Sequence, residues 1–204
     1  MKPLLLLDLD STLFKTTDFW NDFSVVFAQL SGQPAGKYIN HYLDIATGEG
    51  RLKTIDYSTL LANAHVTAES VRVAMQKQAT NNYIFDDART LIKKLPQIQN
   101  IYDIAILTFG QPLFQTLKIE HAPEIADIPV YITQQLKNAF IKQHFMDRPH
   151  GVLVDDKFGQ ELPLGWLEIH IDRTAKSYEA PERKGDDIVR ITNLGDVVDC
   201  INLH

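Results

Sequence analysis

The N-terminal segment constrains the fold of this chain more than any other stretch. Residues 4–7 are four consecutive leucines, and Asp8 and Asp10 follow with a single residue between them. Such an apolar run is typical of a strand buried on both faces at the centre of a parallel sheet. Because side chains alternate along a strand, both carboxylates should point to one side at its carboxyl end, where open α/β sheets bind ligands. Ser11 and Thr12 add hydroxyl and N–H groups in a turn suited to an anionic substrate; an ordinary Asx turn is the alternative.

The composition says more about partners than about the fold. The chain has 204 residues, of which 45% are hydrophobic and 23% charged, and its formal net charge is -6. These proportions are ordinary for a globular protein, and the acidic balance argues against a nucleic acid polymer as a partner. No apolar run approaches membrane-spanning length, so we expect no membrane partner. The single cysteine, Cys200, excludes a disulfide framework and favours the reducing cytoplasm as the location.

The stretch from residue 17 to residue 84 has a helical pattern. Phe19, Phe23, Phe27 and Leu30 recur at helical spacing and predict a first helix. Similar spacing predicts three more helices, over 38–45, 60–64 and 71–78. We therefore expect a small, all-helical bundle with short connections, in which the aromatic side chains form the core.

Strands and helices alternate along the rest of the chain. The predicted strands span 101–108, 128–132, 151–156, 166–171 and 187–191, and the predicted helices span 86–95, 110–119, 136–145 and 194–203. Pro96 is expected to end the first of these helices. The alternation predicts an α/β fold with a doubly wound, mainly parallel sheet. We expect residues 1–16 and 85–204 to form this core, and residues 17–84 to form a helical cap inserted after the first strand.

Three of the predicted strands end in polar residues at the same edge of the sheet. These residues are Asp8, Asp10, Thr108, Asp155 and Asp156. Lys137 begins the helix that precedes the last of these strands. Converging carboxylates repel one another unless a cation lies among them, and carboxylates without a His or Cys partner suit Mg²⁺. A carboxylate beside Mg²⁺ can attack phosphorus, while lysine and hydroxyl donors stabilise a transferring phosphoryl group.

These residues, in this order, resemble the four motifs of the haloacid dehalogenase-like superfamily. The motifs are Asp8 to Thr12, Thr108, Lys137 and the pair Asp155-Asp156. The resemblance covers most of the chain, because the order, the spacing and the strand context all fit. The predicted insertion after the first motif resembles the helical cap that this superfamily carries there.

The resemblance implies a role for each motif residue. Asp8 would be the nucleophile that forms an aspartyl-phosphate and a ligand of Mg²⁺. Asp10 would be the general acid and base, with its backbone carbonyl on the metal. Thr108 and the N–H of Phe109 would bind the phosphoryl oxygens. Lys137 would bridge the nucleophile and the phosphoryl group.

The last motif and the first turn depart from the common family pattern. Asp155-Asp156 stands where Gly-Asp is usual, so Asp156 is expected to be the metal ligand and Asp155 an alternate or supporting ligand that points past the ion. Ser11 stands where the family usually has glycine, which would reshape the turn. Lys142 is a rival of Lys137 for the position of the active-site lysine, although it lies further from the helix start.

The function implied is a Mg²⁺-dependent phosphatase that hydrolyses a small phosphomonoester, such as a nucleotide or a sugar phosphate. A phosphomutase or another phosphotransferase shares these motifs and stays open, as does a catalytically silent phosphate-binding protein. A dehalogenase needs the first aspartate but no second acid, so Asp10 argues against it. A response-regulator receiver uses similar groups in a different order along the chain.

A basic loop in the predicted cap is a further candidate for substrate binding. Gly48 and Gly50 flank a flexible stretch that carries Arg51 and Lys53. We expect this loop to approach the crevice, where Arg51 would contact an anionic substrate. A solvated linker is the alternative.

Overall fold

The computed structural model describes residues 1–34, 46–47, 54–78, 82–148, 150–185 and 187–202. In chain order, the strands and helices are β1 (Leu4–Leu7), α1 (Thr16–Ser31), β2 (Ala46–Thr47), β3 (Thr54–Ile55), α2 (Tyr57–Ala64), α3 (Ala68–Gln78), α4 (Asp86–Ile98), β4 (Asp103–Phe109), α5 (Pro112–Glu120), β5 (Val130–Thr133), α6 (Lys137–His144), β6 (Gly151–Asp155), β7 (Trp166–Ile171), β8 (Glu182–Arg183), β9 (Ile188–Ile191) and α7 (Val197–Asn202). Two short 3-10 helices, Pro123–Ile125 and Leu194–Asp196, precede β5 and α7.

A seven-stranded sheet forms the centre of the molecule, in the order β5-β4-β1-β6-β7-β9-β8. Strand β1 lies between β4 and β6 and pairs in parallel with both, so that Leu5 is opposite Ile104 on one side and Val152 on the other. Only the edge strand β8 is antiparallel to its neighbour in this sheet. The prediction of a doubly wound, mainly parallel α/β sheet is confirmed.

The four leucines of β1 contribute to both faces of the sheet. Leu5 and Leu7 belong to the larger core cluster, while Leu4 and Leu6 belong to a smaller cluster on the other face with Trp166. All four leucines are buried. This two-sided burial explains why the strand has no polar residue until the sheet ends at Asp8.

The segment between β1 and α4 contains the helices α1, α2 and α3. Helix α1 ends at Gly32, whose φ of +67° is a left-handed conformation that glycine adopts without steric cost. The rings of Phe19, Phe23 and Phe27 are buried, as predicted, and Phe23 stacks on Phe27 with ring centroids 5.4 Å apart. The division of the chain into a core and a separate cap over 17–84 stays a prediction.

The prediction that this segment is entirely helical is wrong. Strands β2 and β3 form a two-stranded antiparallel sheet, with Ala46 opposite Ile55 and Thr47 opposite Thr54. Strands of two residues are too short for an alternating pattern to appear in the sequence. The predicted helix over 38–45 lies outside the described residues.

The chain leaves and re-enters the core at one place. Phe14 and Ile84 form an antiparallel bridge. Beside it, the N–H of Lys15 donates to the carbonyl of Tyr83 at 2.6 Å, and the N–H of Phe85 donates to the carbonyl of Leu13 at 3.0 Å. The two ends of the helical segment are therefore held side by side.

Several boundaries in the α/β core differ from the predictions by one to three residues, and the first and last helices show a physical reason. Helix α4 continues through Pro96 to Ile98, because Pro96 lies on the exposed side of the last turn while Ile98 is buried against the core. The C-terminal helical stretch begins as a 3-10 turn, capped by the Asn193 side chain, which accepts a hydrogen bond from the N–H of Gly195. In the part of the chain that the structure describes, no helix has the length and apolar character needed to cross a membrane.

Candidate active site

The turn after β1 brings Asp8 and Thr12 together. The Thr12 hydroxyl donates to Asp8 Oδ2 at 3.1 Å and accepts a hydrogen bond from the N–H of Asp156 at 2.9 Å. Asp8 and Thr12 are both buried. Ser11 has a φ of +59°, the left-handed conformation for which glycine is the usual residue. Thr12 thus links the first motif to the last, across two neighbouring strands.

Lys137 lies between two of the buried carboxylates. Its Nζ is 2.5 Å from Asp8 Oδ1 and 2.6 Å from Asp155 Oδ2. Burial lowers the pKa of Lys137, but the two carboxylates outweigh that effect and raise it above its usual value, so the ammonium stays charged. Lys142 is exposed on the same helix. The structure therefore places Lys137, and not its rival, at the site.

Three carboxylates form a group that could hold a metal ion. Ligand oxygens of Asp8, Asp155 and Asp156 all lie within 4.8 Å of one another. Burial raises the pKa of Asp8 to about 8, and the neighbouring acids add to the rise that Lys137 opposes. Burial and the charge of Asp155 also raise the pKa of Asp156 to about 6. Asp156 Oδ1 is buried without a hydrogen-bond partner. A divalent cation among these oxygens would compensate the crowded charge, so the residues fit Mg²⁺.

Strand alternation predicts that Asp155 points past the ion, and this prediction is wrong. The Asp155 carboxylate lies within the acid group. Its Oδ1 accepts a hydrogen bond from the N–H of Lys157 at 2.8 Å, and its Oδ2 pairs with Lys137. Asp155 is the last residue of β6, so Asp156 lies beyond the strand, where alternation no longer applies. Asp155 is fully engaged by protein donors, whereas Asp156 has an oxygen to spare.

Asp10 has a separate set of partners on α5 and α1. Lys118 Nζ lies 2.6 Å from Asp10 Oδ1, which also accepts from the Thr16 hydroxyl at 2.7 Å. Gln115 Nε2 donates to Asp10 Oδ2 at 2.9 Å. Burial raises the pKa of Asp10, but the Lys118 ammonium and these hydrogen bonds together hold it below its usual value. The two aspartates of the first motif are thus placed in opposite electrostatic environments.

Thr108 and Phe109 end β4 beside this group. The Thr108 hydroxyl is buried and, within the described part of the chain, has no hydrogen-bond partner. Gln115 Nε2 also donates to the Phe109 carbonyl at 2.6 Å. A Cβ on Gly110 would lie 2.4 Å from that Nε2, so the close approach of Gln115 requires glycine there.

The acids face a cavity of about 170 Å³ at the carboxyl ends of the strands. Lys118, Lys137 and Lys157 contribute to its wall, and Ile55 and Phe114 provide apolar surface from β3 and α5. Ser11, Asp10 and Phe109 also line it. A larger groove of about 760 Å³ lies near the amino ends of β1 and β4, remote from the acid group. Arg51, the candidate from the basic loop, lies outside the described residues.

Several residues that shape the site gave no signal in the sequence. Lys118 and Gln115 occupy one face of a helix, where a lysine is ordinarily solvated. Glu168 is buried on β7, and its two carboxylate oxygens accept from the N–H groups of Gly159 at 2.7 Å and Gln160 at 2.9 Å, which fixes the loop after Asp156. These residues are brought together by the order of the strands in the sheet. A single sequence specifies that order only indirectly.

Comparisons with known proteins agree with this architecture. No protein-family model matches the sequence, and a search of curated proteins finds no match. Among solved structures, a HAD phosphatase from Thermococcus onnurineus is 14% identical, with 98% of this chain and 97% of that chain covered and a TM-score of 0.64. This chain has the fold of the haloacid dehalogenase-like (HAD) hydrolases.

Two further solved structures of this fold also match the chain over nearly its whole length. YfnB from Bacillus subtilis, a HAD-type protein solved with bound magnesium, is 16% identical over 98% of this chain and 99% of its own, with a TM-score of 0.60. A dehalogenase solved with an intermediate complex is 15% identical over 98% and 96%, with a TM-score of 0.53. The HAD-like fold expected from the sequence motifs is confirmed, and these identities establish the fold alone.

Proposed function

We propose that this HAD-like protein is a Mg²⁺-dependent phosphatase that hydrolyses a small phosphomonoester through an aspartyl-phosphate on Asp8. The observation that carries the proposal is the contrast between its two aspartates. Asp8 lies in a crowded acid group beside Lys137, whereas Asp10 faces the same cavity from a separate set of donors. Two carboxylates with opposite environments are the usual arrangement for a division between nucleophile and acid–base roles.

The carboxylates of Asp8 and Asp156, with the backbone carbonyl of Asp10, would hold the Mg²⁺, and Asp155 would support them through its ion pair with Lys137. When bound, the ion would supply positive charge close to the oxygens of the phosphoryl group. The protein adds further positive charge beside the phosphoryl group, because Lys137 stays charged next to Asp8.

The side chains suggest an order of events. Asp8 attacks phosphorus, while the Thr108 hydroxyl and the Phe109 N–H bind the phosphoryl oxygens and Ser11 and Thr12 complete the turn around them. Asp10 gives a proton to the leaving oxygen and then takes one from the water that hydrolyses the aspartyl-phosphate. The donors around Asp10 favour its ionised form, which suits the second of these tasks.

The helical segment provides part of the cavity wall, which supports its proposed role as a cap. Ile55 lines the cavity, and Gln111, just before α5, joins the segment to the core through two hydrogen bonds. Gln111 Nε2 donates to Asp56 Oδ1 at 3.0 Å and Gln111 Oε1 accepts from the N–H of Ser58 at 3.2 Å. A covered crevice favours a small substrate, such as a nucleotide or a sugar phosphate, and Arg51 stays a candidate contact. One buried cysteine, Cys200, fits the proposed cytoplasmic location.

Phosphate release tests the proposal directly. Purified protein is incubated with p-nitrophenyl phosphate and with a panel of phosphorylated metabolites, in Mg²⁺ and then in excess chelator. We expect turnover only with Mg²⁺, none for Asp8→Asn, and a rate lower by about 10²–10⁴-fold for Asp10→Asn. Equal release with Mg²⁺ and with chelator would refute the metal-dependent mechanism.

A dehalogenase is the second candidate, since two of the matching structures are named as such. Asp10 argues against this function, because three side chains hold a second acid that halide departure does not need. Chloride release from 2-chloro acids distinguishes the two. A phosphomutase would instead leave a long-lived aspartyl-phosphate, visible as a mass increase on Asp8, and a silent binding protein would show neither reaction.

A further inference from the structure

We propose that Arg173 is a positioning residue for this site. It holds the turn after β1 so that the Thr12 hydroxyl can join Asp8 to Asp156. Arg173 follows β7 and lies in none of the motifs that mark the site. Its effect on turnover rests on the proposed phosphatase function, whereas its effect on the acid group does not.

Each nitrogen of the Arg173 guanidinium donates to the turn or to the residue that supports it. Its Nη2 donates to the carbonyl of Thr12 at 2.5 Å and its Nε donates to the carbonyl of Ser11 at 3.3 Å. The third nitrogen, Nη1, lies 2.6 Å from Asp87 Oδ2. Every nitrogen therefore has a partner, and two of the three partners are consecutive carbonyls of the turn.

The turn needs this support because of its backbone conformation. Ser11 has a φ of +59°, which is costly for a residue with a Cβ and persists where the surroundings determine it. The parallel ladder of the sheet ends just before the turn, with the N–H of Asp8 donating to the carbonyl of Val154. Beyond that point, Arg173 fixes the two carbonyls from outside the sheet.

Thr12 transmits the position of the turn to both acids. Its hydroxyl donates to Asp8 Oδ2 and accepts from the N–H of Asp156. A shift of the Thr12 backbone would lengthen both hydrogen bonds at once. Arg173 therefore acts on Asp8 and Asp156 together, through a residue that it contacts only at the carbonyl.

Arg173 is itself anchored where the chain returns from the helical segment. Its guanidinium carbon lies 4.0 Å from the centroid of the Phe85 ring, and Asp87 Oδ2 also accepts from the N–H of Leu194. A planar fork can hold two carbonyls, one carboxylate and a ring face simultaneously. A lysine keeps the charge but has no such fork, so the conservative replacement is informative.

The test compares Arg173→Lys with a matched control, Arg190→Lys. Both arginine side chains are 21% exposed and paired with an aspartate, but the partners of Arg190 are the carboxylates of Asp172 and Glu179 rather than carbonyls of the turn. Two measurements are made: the rise in melting temperature as Mg²⁺ is added, which needs no turnover, and kcat with p-nitrophenyl phosphate. For Arg173→Lys we expect the Mg²⁺ midpoint to rise and kcat to fall by about 10–100-fold, the usual effect of losing a residue that supports metal ligands. Arg190→Lys should stay within about twofold of the wild type in both, because it supports no ligand.

The proposal is overturned if Arg173→Lys folds and its Mg²⁺ midpoint and kcat equal those of the control. A lower melting temperature alone would not rescue it. If Arg173→Lys does not fold, Asp87→Asn is used instead. That change weakens the ion pair that anchors Arg173 but keeps the arginine side chain. It should shift both measurements in the same direction by a smaller factor, and no shift would again overturn the proposal.

The Mg²⁺ titration separates this proposal from the function. If the wild-type protein binds Mg²⁺ but releases no phosphate, the proposed phosphatase function is refuted. The Mg²⁺ midpoints of the two arginine variants would still test the role of Arg173. Wild-type protein that neither binds Mg²⁺ nor releases phosphate would refute both.

Discussion

Lys118 Nζ lies 2.6 Å from Asp10 Oδ1, on a helix that contains none of the motif residues of the site. The pair is partly enclosed, and Lys118 also lies 4.9 Å from the centroid of the Phe114 ring. Its charge is the main reason why the pKa of Asp10 stays low in a setting whose burial would raise it. Lys118 therefore favours the ionised form of Asp10.

Replacing Lys118 by methionine should shift the pH dependence of turnover. Without the ammonium, the pKa of Asp10 rises, so its ionised form is reached only at higher pH. With p-nitrophenyl phosphate, whose leaving group needs little proton donation, the acidic limb of the kcat profile should move up by about one pH unit or more. Lys142→Met removes an exposed lysine from α6 and is the control. Superimposable profiles for both variants and the wild type would contradict the role of Lys118.

Asp155 and Asp156 should respond differently to substitution by asparagine. Asp155 is buried and engaged by Lys137 and the Lys157 N–H, so Asp155→Asn should cost about 3 kcal/mol of unfolding free energy, as expected for breaking a buried ion pair. Asp156 has an unpartnered oxygen, so Asp156→Asn should raise the Mg²⁺ requirement by about tenfold or more. Denaturant unfolding and Mg²⁺ titration of activity measure the two effects. The reverse pattern would exchange the roles of the two acids.

Stability of the metal-free protein should fall as the pH rises from about 4 to 8. Folding raises the pKa of Asp8 to about 8 and that of Asp156 to about 6, so the protonated forms are favoured in the native state. Their contribution is complete below the unfolded-state pKa of about 4 and is lost as the pH rises through the folded values. Mg²⁺ replaces those protons, so its effect on the melting temperature should be larger at pH 8 than at pH 6.

Thermal unfolding with chelator and with Mg²⁺, across this pH range, checks the expectation. Asp172→Asn is a suitable control, because Asp172 is an acid whose pKa is lowered by hydrogen bonds from Thr174 and Arg190, outside the acid group. It should change stability without changing the pH dependence of the Mg²⁺ effect. A Mg²⁺ effect that is equal at pH 6 and pH 8 would be inconsistent with protonated Asp8.

Gln111→Ala should weaken the contact between the helical segment and the core. Its amide bridges Asp56 and the N–H of Ser58, and both bonds lie near the surface. We expect KM for the best metabolite substrate to rise by about fivefold, equivalent to about 1 kcal/mol for the lost hydrogen bonds. Steady-state kinetics measure this, and the control is Gln135→Ala, because the Gln135 amide donates to Gln143 at the surface. An unchanged KM would mean that the bridge does not affect substrate binding.

The sequence predicted the parts of the site that depend on local order. Four leucines followed by two aspartates specify both a central strand and the place where it ends, so Asp8 and Asp10 were found before the strands were paired. Thr108 and Asp155-Asp156 followed because each ends an apolar run. The sequence favours Lys137 over Lys142 only for its place at the helix start, and in the structure its Nζ lies 2.5 Å from Asp8 Oδ1.

The parts that were missed depend on packing between distant elements. Lys118 follows an ordinary helical pattern, and only the position of α5 against the first turn makes it a partner of Asp10. Arg173 is separated from the turn by 161 residues, and a lone arginine after a strand has no distinguishing pattern. Pro96 was expected to end α4, but the buried Ile98 keeps the last turn in place. Strand alternation does not predict the orientation of Asp155 relative to Asp156, because Asp156 lies beyond the end of the strand.

The bridge between Phe14 and Ile84 has a consequence for how such chains can diversify. Because the outgoing and returning backbones are fastened to each other beside the sheet, the length of what lies between them does not affect the pairing of β1 with β4 and β6. We expect the segment to behave as an inserted unit with a fixed point of attachment. Related chains could exchange it for a longer, shorter or differently folded piece and so change the accepted substrate, while the chemistry at the strand ends stays intact.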